Sequence, residues 1–129
     1  MLLYVDGASR GNPGPSSIGV SLQNSNGHEI ASISQVIGET TNNVAEYTAL
    51  VEGLKLALKK RIQEIEIRAD SELIVRQLNG EYKVKAEQLK PLFREAIQLT
   101  KKFKSFKMKH VPREQNTRAD ELANEALDQ

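Results

Sequence analysis

Thr40-Thr-Asn-Asn-Val-Ala-Glu-Tyr-Thr-Ala-Leu-Val-Glu-Gly-Leu-Lys-Leu-Ala-Leu58 is where the chain changes its period. Val44, Tyr47, Val51, Leu54 and Leu58 recur at three and four residues, the stripe of an amphipathic helix lying on a sheet. Ala49 and Gly53 allow that helix a close approach. Upstream the period is two. Leu2–Ala8 reads as a strand, Gly11-Asn-Pro-Gly-Pro15 forces a turn, and Ile18–Leu22 resumes the alternation. Asn26-Gly27 marks a hairpin into a third strand, Ile30–Ile37, which closes an antiparallel meander. Downstream, Glu64–Ala69 is a short alternating strand, and Ser71–Leu78 is helical until Asn79-Gly80 stops it. A helix over about Ala86–Lys102 places Pro91 near its first turns, where a missing amide donor costs least. Phe103–Val111 is a last strand and Thr117–Leu127 a last helix. Three strands followed by helix, strand, two helices, strand and helix predict an α/β fold, one mixed sheet with helices packed on it.

The chain's 129 residues suit one domain, 1–129, able to bury a core without disulfides. The absence of cysteine excludes a disulfide framework and a thiolate zinc site, so any metal is held by oxygen or by His28 and His110. Oxygen ligands favour Mg2+ or Mn2+. The apolar run Leu2–Val5 meets Asp6 too soon for a signal peptide, and no segment is long enough to span a bilayer. A cytoplasmic monomer is therefore expected. A formal charge of +1 provides no global attraction to nucleic acid, so such a partner must be held by local charge. Two local clusters exist: Lys101, Lys102, Lys104, Lys107, Lys109 and Arg113 in one stretch, and Lys59, Lys60 and Arg61 in another. Solvated surface is the plain reading of both.

Four carboxylates stand at positions where α/β folds build sites, and each has a local explanation as well. Asp6 precedes Gly7 at a strand end, which suits an Asp-Gly turn. Asp70 follows Ile65, Ile67 and Ala69 at a strand's carboxyl end and suits a cap for the helix after it. Glu46 lies three residues after Asn43 and Asp120 three after Thr117, the spacing of a reciprocal capping pair. Their joint placement favours a site, because strand carboxyl ends are where open α/β sheets bind ligands. Carboxylates gathered without matching bases repel one another unless divalent cations neutralise them. Two such ions about 4 Å apart suit in-line phosphodiester cleavage.

Four segments, in this order and almost end to end, carry a resemblance: Tyr4-Val-Asp-Gly-Ala-Ser-Arg-Gly-Asn-Pro-Gly-Pro15, Thr40-Thr-Asn-Asn-Val-Ala-Glu-Tyr47, Ala69-Asp-Ser71 and Arg118-Ala-Asp-Glu-Leu-Ala123. The chain resembles the type 1 ribonucleases H. The resemblance implies an RNase H-like fold: a five-stranded mixed sheet with its first three strands antiparallel, the first beside the fourth and the fifth beyond it, and helices on both faces. It implies hydrolysis of the RNA strand of an RNA/DNA hybrid with two Mg2+ or Mn2+ ions, leaving a 5′-phosphate and a 3′-hydroxyl. Asp6 then bridges both ions, Glu46 and Asp70 hold one, and Asp120 holds the other. Gly7, Asn12, Thr41, Asn42, Asn43 and Ser71 fall on substrate-binding positions, where amides and hydroxyls can read the 2′-hydroxyl in the wide minor groove. Double-stranded RNA is a second candidate substrate.

The chain departs from the family's pattern in two places. Gly80-Glu-Tyr-Lys-Val-Lys85 is too short for the basic helix that well-known bacterial members insert to grip the hybrid, which resembles the compact archaeal and bacterial branch. Fewer phosphate contacts imply weaker binding, and the alternative is a module of the same fold that binds nucleic acid without cutting it. His110 has the count of the family's loop histidine, but His110-Val-Pro-Arg-Glu114 lacks flexible glycines. His110 is one candidate auxiliary group for proton transfer or product release; the plainer expectation is that it ends a strand and leaves Arg113 or Glu114 nearer the scissile phosphate.

Overall fold

The computed structural model describes residues 1–129. Its elements are β1 Leu2–Ser9, β2 Gly14–Gln23, β3 Glu29–Thr40, α1 Asn42–Lys59, β4 Glu64–Ala69, α2 Glu72–Leu78, α3 Lys90–Thr100, β5 Ser105–His110 and α4 Thr117–Leu127. The strands form one sheet in the order β3-β2-β1-β4-β5. The first three are antiparallel neighbours, while β4 runs parallel to β1 and β5 parallel to β4. No helix is long and apolar enough to cross a membrane.

Alternation sorts the two faces of the sheet. Leu3 and Val5, Ile18, Val20 and Leu22, and Ile65, Ile67 and Ala69 point to one face and are buried there with Tyr47, Leu50 and Leu54 of α1. Ile74 and Leu78 of α2, and Ala96 and Leu99 of α3, complete this core. Each fully buried aliphatic side chain contributes about 1.5–3 kcal/mol of hydrophobic stabilisation. α4 covers the opposite face over β1–β3, where Ser17 donates to the Ala123 carbonyl and Ser34 to the Leu122 carbonyl. Helices thus lie on both faces.

The structure differs from the periodicity at several ends. The stretch expected as one helix from Ala86 begins as a 3₁₀ turn at Glu87–Leu89, and α3 proper starts at Lys90 with Pro91 in its first two positions. The last strand is shorter than Phe103–Val111, because Phe103 closes the turn after α3 by donating to Thr100. β2 and β3 are longer than the alternation suggested and run to Gly14 and Thr40, next to the site. Between Gly80 and Ala86 there is no regular element.

Candidate active site

Two glycines allow four separate elements to meet. Gly7 is no turn residue: it lies inside β1, paired with Ile18, and a Cβ there would sit 2.3 Å from the backbone of Ala45 and Glu46. The missing side chain lets the first turns of α1 ride against β1 and sets Glu46 beside Asp6. Gly19 does the same on the other face, where a Cβ would meet the Ala119 carbonyl at 2.0 Å and the Ala123 amide at 2.6 Å. Gly19 is also the β2 partner of Asp6, so the close seating of α4 brings Asp120 over that aspartate. Asp70 follows β4, whose Ala69 pairs with Val5, and so it falls at the same end of the sheet.

None of the local explanations holds for these carboxylates. α1 is capped by Thr41, whose hydroxyl accepts from the Val44 amide at 3.3 Å, so Asn43 and Glu46 form no capping pair. α2 is capped by the Ser71 hydroxyl, accepting from Ile74 at 3.4 Å, rather than by Asp70. α4 begins after Asn116, not at Thr117 as N-cap, and the Asn116 side chain is used elsewhere. Its Nδ2 donates to the Val5 carbonyl at 2.9 Å and to Asp70 Oδ2 at 3.3 Å, while its buried Oδ1 has no partner.

Asp6, Glu46 and Asp70 each present an oxygen within 4.8 Å of the others, and Asp6 and Glu46 are each only 5% exposed. Asp120 lines the same depression, of about 440 Å³, together with Gly7, Arg10, Asn42, Arg113 and Asn124. The single cation against the carboxylates is Arg113, whose Nη2 lies 3.7 Å from Asp120 Oδ1. Burial, reinforced by the charges on Glu46 and Asp70, pushes the Asp6 carboxyl far above the ordinary range. Burial also pushes Glu46 up, although hydrogen bonds from Asp6 and from the Gly7 amide hold it back. Both shifts favour the protonated form of the buried pair in the absence of a divalent cation. Oxygen-only donors that repel each other fit a hard divalent ion.

The remaining residues singled out in the sequence spread around this rim. Asn12 accepts from the Asn42 amide at 3.0 Å, which ties the β1–β2 turn to the start of α1. Asn42 reaches the depression, Asn43 is exposed, and Thr41 and Ser71 spend their hydroxyls on helix caps. His110 ends β5 and lines a different depression with Glu72, Arg76 and Glu81. Glu114 is exposed in a 3₁₀ turn, Arg113–Gln115. Sequence reasoning missed Asn116, Arg10 and Asn124. The signal for Asn116 was available: a small polar residue directly before a helical stripe is a cap candidate, and a buried cap is free to hold something else.

Comparison with known proteins places this arrangement. A family model described as reverse transcriptase-like matches residues 4–126. The Ribonuclease HI of Halobacterium salinarum is 44% identical over 97% of this chain, and the Mycobacterium tuberculosis Bifunctional protein Rv2228c is 41% identical over 99%. The chain spans 63% of the length of the first and 35% of the second. The crystal structure of LC11-RNase H1 in complex with an RNA/DNA hybrid superposes with a TM-score of 0.92 at 46% identity, covering 98% of this chain and 96% of that one.

Proposed function

This chain belongs to the type 1 ribonuclease H family, and from that premise we propose that it hydrolyses the RNA strand of RNA/DNA hybrids at the carboxylate cluster, with divalent cations. The observation that carries the reading is the cluster itself. Three carboxylates from β1, α1 and the end of β4 bring oxygens within 4.8 Å, and a fourth from α4 stands at the same depression. Such a group is tolerable only protonated or metal-bound, and a fold that merely binds phosphates would gain nothing from it.

Asp6 and Glu46 each interact with the other three carboxylates, and Asp6 is the one carried by the central strand β1. Asp6, Glu46, Asp70 and Asp120 would together hold the Mg2+ or Mn2+ ions, with Asp6 as the central ligand. Bound ions of this kind supply Lewis acidity toward the phosphate and its attacking water. The protein's own residues do the positioning. Asn116 fixes the Asp70 carboxylate through Nδ2, and the Gly7 amide orients Glu46. Arg113, largely exposed beside Asp120, offers a positive charge where a phosphate would enter. Asn12 and Asn42, held together at the rim, keep amide groups free for ribose hydroxyls, the groups that distinguish RNA from DNA.

A panel of labelled RNA/DNA hybrid, double-stranded RNA and DNA duplex, each incubated with Mg2+, Mn2+ or chelator, tests this reading. Scission of the hybrid's RNA strand in at least one metal, lost with chelator, is expected. Binding without scission in either metal would support a non-cutting module, and preference for the DNA duplex would overturn the substrate.

A further inference from the structure

The two basic clusters, apart in sequence, form a single pole in the fold. The α1–β4 connection and the α3–β5 connection are joined where the Lys104 and Ser105 amides both donate to the Gln63 carbonyl, at 2.8 and 3.2 Å, and Glu64 pairs with Ser105 across the sheet. Lys59, Lys60, Arg61, Lys101, Lys102 and Lys104 are all exposed there, and none of them takes part in an ion pair. Glu64 is the one acidic residue among positions 59–64 and 98–105. The pole lies at the amino ends of β4 and β5, and the carboxylates at the opposite end, about 20 Å away along a strand of this length.

Helix dipoles account for part of the pole. Lys59, Lys60 and Lys101 sit at the last turns of α1 and α3, where cations are favoured. Arg61, Lys102 and Lys104 lie beyond those turns. Arg61 is the telling one. α1 and α2 end in the same motif: Arg61 donates to Leu58 and Ile62 to Ala57 after α1, just as Gly80 donates to Gln77 and Glu81 to Arg76 after α2. The motif needs a left-handed residue, which is Gly80 at φ 81° in α2 and Arg61 at φ 62° in α1. Glycine adopts that conformation without strain and arginine does not. At this one end of the molecule a cation stands where the backbone favours glycine.

We propose that this pole is a second nucleic-acid contact surface, gripping the phosphate backbone of a duplex segment other than the one that lies at the carboxylates. The phosphates bound there differ from those at the carboxylates, because the two surfaces lie at opposite ends of the sheet. The proposal rests on the nucleic-acid reading of the site. Its function would be retention: it adds electrostatic affinity without touching the reacting phosphate, and it compensates for a near-neutral chain.

The test measures binding of a fluorescent RNA/DNA hybrid in chelator by anisotropy across a salt series. The variants are Arg61→Gly, Lys102→Gln with Lys104→Gln, and the control Lys55→Gln with Lys90→Gln, whose lysines are paired with Glu95 and Glu87. The lysine pair is expected to weaken binding about tenfold at low salt and to flatten log K against log salt by about 2, as two lost phosphate contacts would. Arg61→Gly is expected to flatten it by about 1 while raising the melting midpoint by about 3 °C, so weaker binding cannot be blamed on a damaged fold. The proposal is overturned by a wild-type slope in either variant, by an equal loss in the control, or by absence of salt-dependent binding in the wild type. Cleavage in Mg2+ is read separately: its failure counts against hydrolysis and leaves the slope measurement intact.

Discussion

The two ends of β4 each gather like charges, and they do so under opposite conditions. At the carboxyl end Asp6 and Glu46 are buried, and their charge cannot be dispersed into water. At the amino end Lys59, Lys60, Arg61, Lys101, Lys102 and Lys104 are exposed, and water and salt screen them. The difference teaches that a charge cluster is read from its solvent access. Exposed cations cost little and wait for a diffuse polyanion, whereas buried carboxylates must be protonated or hold cations of matching charge. The largest expected effect follows from this. Asp70→Asn should lower hybrid cleavage by at least about 10³-fold, the scale for a group acting in the transition state, while far-UV circular dichroism stays unchanged. Retained cleavage would reduce the acidic end to a surface feature like the basic one.

The next effect concerns how the buried end is assembled. Gly19→Ala places a methyl 2.0 Å from the Ala119 carbonyl, a backbone atom that cannot turn aside. α4 must lift, and we expect a loss of about 3 kcal/mol in chemical denaturation, the upper range for overpacking. Asp120 travels with α4, so cleavage should fall by about 10²-fold even where the protein remains folded. A comparable glycine change at the basic pole has the opposite sign: there the glycine would relieve the backbone instead of crowding it.

Most of the fold was legible in the sequence because it rests on periodicity and local turn rules, whereas the four carboxylates were singled out by their shared placement at strand ends and helix starts and by the family resemblance. The shift from period two to the stripe Val44, Tyr47, Val51 located α1, and Asn79-Gly80 ended α2 where the structure ends it. The strand order came from the family resemblance, since pairing between β1 and β4 is a contact across the chain that no local pattern encodes. The capping assignments failed for a related reason. Spacing alone cannot distinguish Thr41 from Asn43 as the residue that bonds the first free amides, because both are good caps two positions apart. Asn116 was illegible as a ligand holder, because its partners Val5 and Asp70 lie far away in sequence. Gly7 and Gly19 looked like ordinary strand-end and strand glycines, and only the helix backbones packed against them reveal why a side chain is excluded.

Stability against pH is the third way to sharpen the comparison. The Asp6 carboxyl is raised in the folded protein by burial and then by its neighbours, so its protonated form is favoured by folding. The contribution to stability is therefore complete below the unfolded value near 4 and is lost as pH rises toward the raised folded value. Metal-free protein should melt lower at pH 8 than at pH 5.5, and Mg2+ or Mn2+ should restore the difference by binding the folded state. Asp6→Asn removes the cost of taking up that proton on folding and should stabilise the metal-free protein at pH 8 by at least about 2 kcal/mol, the scale of a shift of one to two pH units in one titration. A flat melting profile in chelator would mean that the acidic end is as well solvated as the basic one.

The smallest effect is expected at His110, and the register explains why. His110 pairs with Ala69 across β4 and β5, so its side chain shares the face of Ile67 and Met108, whereas Asp70 is one residue further along and points to the other face. The histidine accordingly lines a depression with Glu72, Arg76 and Glu81, away from the carboxylates. Arg113, not His110, stands at Asp120. His110→Ala should leave the cleavage rate within about twofold at all pH values from 6 to 9, the outcome for a group that neither moves a proton nor touches substrate. Arg113→Ala should cost about tenfold, chiefly in apparent substrate affinity, since a single exposed phosphate contact is lost. A steep, pH-dependent loss in the histidine variant would require the segment from Val111 to Asn116 to refold around the hybrid and carry that side chain to the acidic end.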